Sequence, residues 1–132
     1  MQDMRYLNLF SKVTKISTRY FFKYNLTMFF CVDERDVSRA IGPQGVNARK
    51  LSEVFGKKVK VIPLPKGIGQ SEKFIKSIIE PVEFNNIEIV NGEIIITAGS
   101  QNKAALLGRN KRRLHELQKI AKDYFDVDLR IV

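Results

Sequence analysis

The chain contains no tryptophan, one cysteine and one histidine among its 132 residues. A lone Cys31 excludes an intrachain disulfide, and Cys31 with His115 cannot furnish the ligands of a tetrahedral Cys/His zinc site. No apolar run approaches the ~20 residues that a membrane span needs, and the longest, Leu26 to Val32, has the length of a strand. No secretory leader is legible at the amino terminus, which together with the single thiol suggests a reducing cytoplasm. Neither glycine loop is followed by Lys-Ser or Lys-Thr, so there is no Walker motif, and Gly67-Ile68-Gly69 reads as a linker. No nucleophile–base pair or carboxylate metal cluster stands out. The expectation is a protein without catalysis, cofactor, metal or small-molecule substrate. Acidic residues are also scarce: fourteen Asp and Glu stand against twenty-three Lys and Arg, a net charge of +9. A small basic chain of globular composition most often has a polyanionic partner, with nucleic acid ahead of an anionic membrane. A merely solvated surface is the bland alternative.

Tyr6, Leu9, Phe10 and Val13 fall on one face of an amphipathic helix over Met4 to Val13. From Ile16 to Val32 the texture turns β-branched and aromatic, with Tyr24-Asn25 as a turn between two strands. In the second strand Leu26, Met28, Phe30 and Val32 share one face, and Thr27, Phe29 and Cys31 the other. Both faces are largely apolar, which implies that part of the second packs against another module. Asp33 is an N-cap for a short helix reaching Ile41, followed by Gly42-Pro43-Gln44-Gly45. A helix from Val46 to Phe55 has Leu51, Val54 and Phe55 inward, and Gly56 ends it. Lys57 to Ile62 alternates as a strand. The breaker cluster from Pro63 to Gly69 is the boundary between modules 1–65 and 70–132, with 66–69 as linker. Beyond it the order recurs: a helix over Ser71 to Ile79, a strand over Val82 to Val90, the hairpin turn Asn91-Gly92, and a strand over Glu93 to Ala98. A short helix over Gln101 to Leu107, the loop Gly108 to Lys111, a long helix to Phe125 and a strand to Val132 complete it. Ile41-Gly42 corresponds to Leu107-Gly108, and Leu51 and Val54 to Leu117 and Ile120, at one constant offset along the chain. Val59 and Val61 correspond to Leu129 and Ile131 at a larger offset, because the second copy has the longer helix.

A short helix, a glycine-x-x-glycine loop and a second helix form a particular physical object. The glycines let backbone approach a ligand without a Cβ in the way, and the second helix offers free N–H groups and a positive dipole end. The natural ligand is a phosphate, and Arg49 and Lys50 lie about one turn into that helix. A KH domain uses such a loop to clamp about four nucleotides of backbone. A bare loop of this kind is commonly just a turn; the flanking elements and the second copy are what raise its meaning. The stretch from Val37 to Ile62 resembles the first KH core of the NusA transcription factors, and the chain from Met4 to Val132 is similar to the archaeal form. The resemblance implies an α+β chain of two tandem type II KH domains, each helix-strand-strand-helix-helix-strand, with a three-stranded sheet carrying helices on one face. It implies a factor of transcription elongation, termination or antitermination that binds single-stranded RNA, the nascent transcript, with RNA polymerase as a candidate protein partner. It places RNA contacts at Gly42, Pro43, Gln44, Gly45, Arg49 and Lys50, and at Lys103, Gly108, Arg109, Asn110, Lys111, Arg112 and Arg113. A KH factor of RNA processing or ribosome assembly is one alternative, and a scaffold docking on RNA polymerase with little RNA contact is another.

The chain departs from the family pattern twice. Pro43-Gln44 carries no charge at the first loop tip, and Lys111 stands where the second loop should have its second glycine. Either that loop has a different shape, or the Lys111 side chain reaches a phosphate itself. No acid lies near Lys103, Arg109, Lys111, Arg112 and Arg113. Positive charge at a helix N-terminus is unfavourable by itself and hints at an anionic partner, against a solvated helix start as the plain reading. His115 reads as a surface residue and Cys31 as a packed hydrophobe. Tyr20-Phe21-Phe22 offers base stacking or packing, with packing favoured.

Overall fold

The computed structural model describes residues 2–132, and their side chains from residue 4 onward. The chain divides into two compact units, the first ending at Leu64 and the second beginning at Pro65. Each is an α+β unit on one three-stranded sheet, ordered β1-β2-β3 in the first and β4-β5-β6 in the second.

In the first unit the apolar stripe at the start of the chain forms α1 (Gln2–Thr14). It ends where the Thr14 hydroxyl donates to the Phe10 carbonyl at 2.8 Å and accepts from the Ile16 amide at 3.1 Å. β1 (Tyr20–Tyr24) and β2 (Thr27–Val32) pair antiparallel, Phe21 opposite Phe30. The turn residues are Asn25 and Leu26, not Tyr24-Asn25, and both have positive φ. Leu26 is therefore a turn residue, 72% exposed, and not part of the apolar face of β2. A 3₁₀ turn capped by the Asp33 side chain leads into α2 (Val37–Ile41). After the loop come α3 (Val46–Phe55) and β3 (Lys58–Pro63), which pairs parallel to β2 with Met28 opposite Val59. Phe10, Ala40 and Leu51 from the three helices pack on Met28, Phe30, Val32, Val59 and Val61, with Tyr6, Leu7, Val13, Phe21 and Phe55 around them. Val54, expected inward, is 56% exposed. Leu51 and Phe55 stand four residues apart and form the line that faces the sheet; Val54 lies to one side of it.

The aromatic residues of β1 divide between packing and solvent. Phe21 lies 5.0 Å from the Phe30 ring centroid, and Phe22 stacks on Phe29 at 5.0 Å. Tyr20 stays exposed beside the Arg19 guanidinium. Phe29 and Cys31 are buried.

The second unit repeats this order with α4 (Ser71–Ile79), β4 (Asn86–Val90), β5 (Glu93–Thr97), α5 (Ser100–Leu107), α6 (Arg112–Phe125) and β6 (Asp128–Ile131). β4 begins at Asn86 rather than Val82, because the Val82 amide closes a turn on the Ile79 carbonyl at 2.9 Å. Ile94 and Ile96 of β5 pair with Leu129 and Ile131 of β6, and all four are buried. The helix α6 has 14 residues against 10 in α3, the difference that lengthens the offset between the two closing strands.

Candidate nucleic-acid interface

The two loops share one backbone conformation. Gly42 has φ 81° and ψ 164°, and Gly108 has φ 74° and ψ 175°. Gln44 (57°, 24°) matches Asn110 (56°, 28°), and Gly45 (74°, 20°) matches Lys111 (59°, 25°). Their hydrogen bonds match as well. The Gly42 and Gly108 amides close α2 and α5 on the Ser38 and Ala104 carbonyls at 3.0 Å, and the Gly45 and Lys111 amides return to Gly42 and Gly108 at 3.0 and 3.1 Å. The missing glycine has not changed the loop; Lys111 sits in the left-handed region that glycine occupies in the first copy.

Steric room explains why one glycine of each loop is kept and the other is replaceable. A Cβ on Gly42 would meet Val46 Cγ1 at 2.9 Å, and one on Gly108 would meet Arg113 Cγ at the same distance. At Gly45 the nearest atom is an Arg49 guanidinium nitrogen at 3.7 Å, an ordinary contact. The first glycine thus answers both space and φ, and the second answers φ alone.

The residues that crowd the first glycines also brace the loops. Asn47 Nδ2 donates to the Arg39 carbonyl at 3.4 Å, and Arg113 Nη1 makes a long contact with the Ala105 carbonyl at 3.5 Å, at equivalent places in the two units. Asn47 was not expected among the site residues; the repeat offset, which aligns it with Arg113, was the available signal. Arg113 is half-buried with its stem over Gly108, while Arg109, Asn110, Lys111 and Arg112 are exposed. Lys103 is half-buried on α5, four residues ahead of its end at Leu107, and aligns with the core-packed Val37 of the first unit. Pro43, Gln44, Arg49 and Lys50 are exposed, and Gly42 and Gly45 half-buried.

The cations occupy different positions around the same scaffold. In the first unit the loop is neutral and Arg49 folds back to donate to the Gln44 carbonyl, beside Gly45. In the second unit the charges stand on the loop and the first turn, at Arg109, Lys111 and Arg112, while the positions matching Arg49 and Lys50 hold His115 and Glu116. Both arrangements bring positive charge to an exposed backbone turn ahead of a helix start, at the positive end of the helix dipole. That constellation suits a phosphate. Among the described residues no helix is long and apolar enough to cross a membrane.

No family model matches the chain. It is 30% identical over 86 residues to "Probable transcription termination protein NusA" of Methanococcus vannielii, a match covering 65% of this chain and 48% of that protein. The protein of the same name from Methanocaldococcus jannaschii is 31% identical over 97 residues, covering 70% of this chain and 51% of its own. The matched region thus spans about half the length of these two archaeal relatives. The Halococcus morrhuae protein of that name is 23% identical over 128 residues, covering 95% and 90%. Among solved structures, the crystal structure of APE1850 superposes with a TM-score of 0.66 at 22% identity, covering 99% of this chain and 98% of that one, and shares its fold.

Proposed function

We propose that this chain is a NusA-like transcription factor that binds single-stranded RNA without catalysis, its two units acting as KH-type modules over 1–65 and 70–132. The observation that carries the reading is the duplicated loop: one backbone conformation at Gly42–Gly45 and Gly108–Lys111, exposed at its tip, with cations at hand in both copies. A binding loop that had lost its role in one copy would be free to lose its conformation or its charge, and the second loop keeps both. The names of the archaeal relatives support a place in transcription; on the proposed reading the ligand is the nascent transcript, RNA polymerase is a neighbouring protein and the cytoplasm is the setting. On this reading the loop backbone and its cations hold phosphates, while bases splay into an adjoining groove.

The test is a titration of labelled single-stranded RNA against the full chain and against the variant Pro43→Asp/Gln44→Asp. Both replaced side chains are exposed, and Asp tolerates the left-handed conformation of Gln44. The fold is therefore retained, checked by circular dichroism. Two carboxylates where a phosphate should lie weaken binding by about tenfold or more. Duplex RNA binds less well than single strand. Unchanged affinity in the folded variant, or equal affinity for duplex and single strand, would overturn the clamp.

A further inference from the structure

Each three-stranded sheet has two edge strands, and β1 and β4, the equivalent edges of the two units, are built differently. In the first unit, β1 carries Lys23 opposite Met28, and its ammonium lies 5.3 Å from the centre of the Tyr6 ring. A lysine on an edge strand is a common guard against pairing with another chain. Tyr24, the next residue, is buried. In the second unit the equivalent residues of β4 are Ile89, opposite Ile94, and Val90, and these are 46% and 41% exposed. β4 is flanked on one side by β5, and no strand lies on its other side among the described residues. Ile87 and Ile89 give this edge an apolar face, and its one charged residue is Glu88 in place of a lysine.

Its charge is also opposite to that of the chain. Residues 77–102 include Glu80, Glu83, Glu88 and Glu93 and no lysine or arginine, in a protein of net charge +9. Glu93 is held by Arg130 at 3.0 Å. Glu88, in the middle of β4, is exposed and has no ion pair among the described residues. Side chains of a strand alternate between faces, so Ile87 and Ile89 point to one side and Glu88 to the other.

We propose that the free edge of β4 is a docking site for an extended segment of another protein, one that adds a strand to the second sheet. The occupant is a segment in which a lysine or arginine stands between two β-branched or aliphatic residues. The apolar pair lies against Ile87 and Ile89, and the cation lies against Glu88 on the opposite face. Main-chain hydrogen bonds supply most of the affinity in such strand addition, and the alternating side chains supply the choice of partner. A second copy of β4 is a poorer occupant, since antiparallel self-pairing about the strand centre sets Glu88 against Glu88. The inference is independent of the RNA reading and uses none of its loop residues.

The test uses the ¹⁵N-labelled full chain and two ten-residue peptides of alternating Val and Thr, identical except for Lys or Glu at the centre. The lysine peptide shifts the amides of Asn86–Val90 and binds about five-fold or more tightly than the glutamate peptide, although net charge alone favours the latter. Glu88→Lys reverses the preference. Ile89→Lys, which gives β4 the guard that β1 has, abolishes peptide binding while thermal unfolding and RNA affinity stay unchanged. The proposal is overturned by no binding at millimolar peptide, by shifts elsewhere, or by a preference that Glu88→Lys leaves unreversed. It is equally overturned if RNA shifts these amides, or if sedimentation shows a dimer that Ile89→Lys dissolves.

Discussion

At the scale of single residues, each unit is a control for the other. Gly42 and Gly108 combine an extended ψ with positive φ, a region almost closed to side chains, and each has a neighbour where a Cβ would go. Gly45 has room for a side chain and only the left-handed cost to bear. Gly42→Ala and Gly108→Ala therefore destabilise by about 2–3 kcal/mol, and Gly45→Ala by about 1 kcal/mol, an order that urea denaturation of the three variants checks. Lys111 already bears that cost, so its charge must be judged apart from its conformation. Lys111→Ala keeps the strain and loses the cation, and RNA affinity falls by about 1 kcal/mol with one phosphate contact fewer in the salt dependence. Lys111→Gly/His115→Arg moves the cation to where the first unit has Arg49. RNA affinity then returns to within about twofold of the parent, since both arrangements leave one cation beside the turn, while stability rises by about 1 kcal/mol from the relieved φ. If affinity stays low in the double variant, the two cation positions are not interchangeable.

At the scale of elements, the same exchange of glycine for another residue marks two further joints. The hairpin turn is Asn25-Leu26 in the first unit and Asn91-Gly92 in the second, with positive φ at all four. The helix before the closing strand ends on Gly56 in one unit and on Asp126 in the other, at φ 67° and 55°. Asp126 holds Lys122 across one helical turn at 3.1 Å, and that hydrogen bond and the Asp126 charge raise the lysine above its ordinary value. A raised folded value gives a stability increment that is complete below the ordinary lysine range and lost as the pH rises beyond it. Asp126→Gly removes the increment together with its alkaline loss. The pair is exposed to solvent, so the relief of left-handed strain dominates. The variant is more stable by about 0.5–1 kcal/mol at neutral pH and has a flatter profile as the pH rises past the ordinary lysine value of ~10.4, as thermal unfolding through that range measures. Leu26→Gly gains a similar amount without any effect on RNA, which separates strain at a turn from strain at a binding loop.

At the scale of the molecule, charge and exposure sort the surface. The residues through Leu64 include twelve Lys and Arg against five Asp and Glu; from Pro65 onward the counts are eleven and nine. The second unit is nearly balanced in sum and strongly polarised in sequence, with five basic residues between 103 and 113 and only acids between 77 and 102. Four to six neutralised phosphates give a plot of log K against log salt with a slope of roughly −3 to −4, from about −0.7 per contact on a single strand. Pro43→Asp/Gln44→Asp lowers that slope by roughly one contact, and so does Lys111→Ala, because the two loops share one geometry. A slope that responds to one loop alone would leave RNA binding to that unit.

Periodicity and turn chemistry determined most of the element order without any tertiary information, since the 3.6 and 2.0 repeats of apolar residues and the Gly, Pro and Asn breaks are local properties. The duplication was legible for the same reason: Leu51 and Leu117 had to keep the same place on the same helix face. What remained hidden depended on neighbours distant in sequence. Val54 has the composition of a core residue and loses its place only because α3 turns Leu51 and Phe55 to the sheet. Lys111 was ambiguous because a residue type states the cost of left-handed φ but not whether the fold imposes it. The closed hydrogen-bond pattern of the second loop imposes it. Ile89 reads as an ordinary strand residue, and only the order of strands in the sheet places it on an edge strand, where its backbone lacks a partner on one side and its side chain is half-exposed.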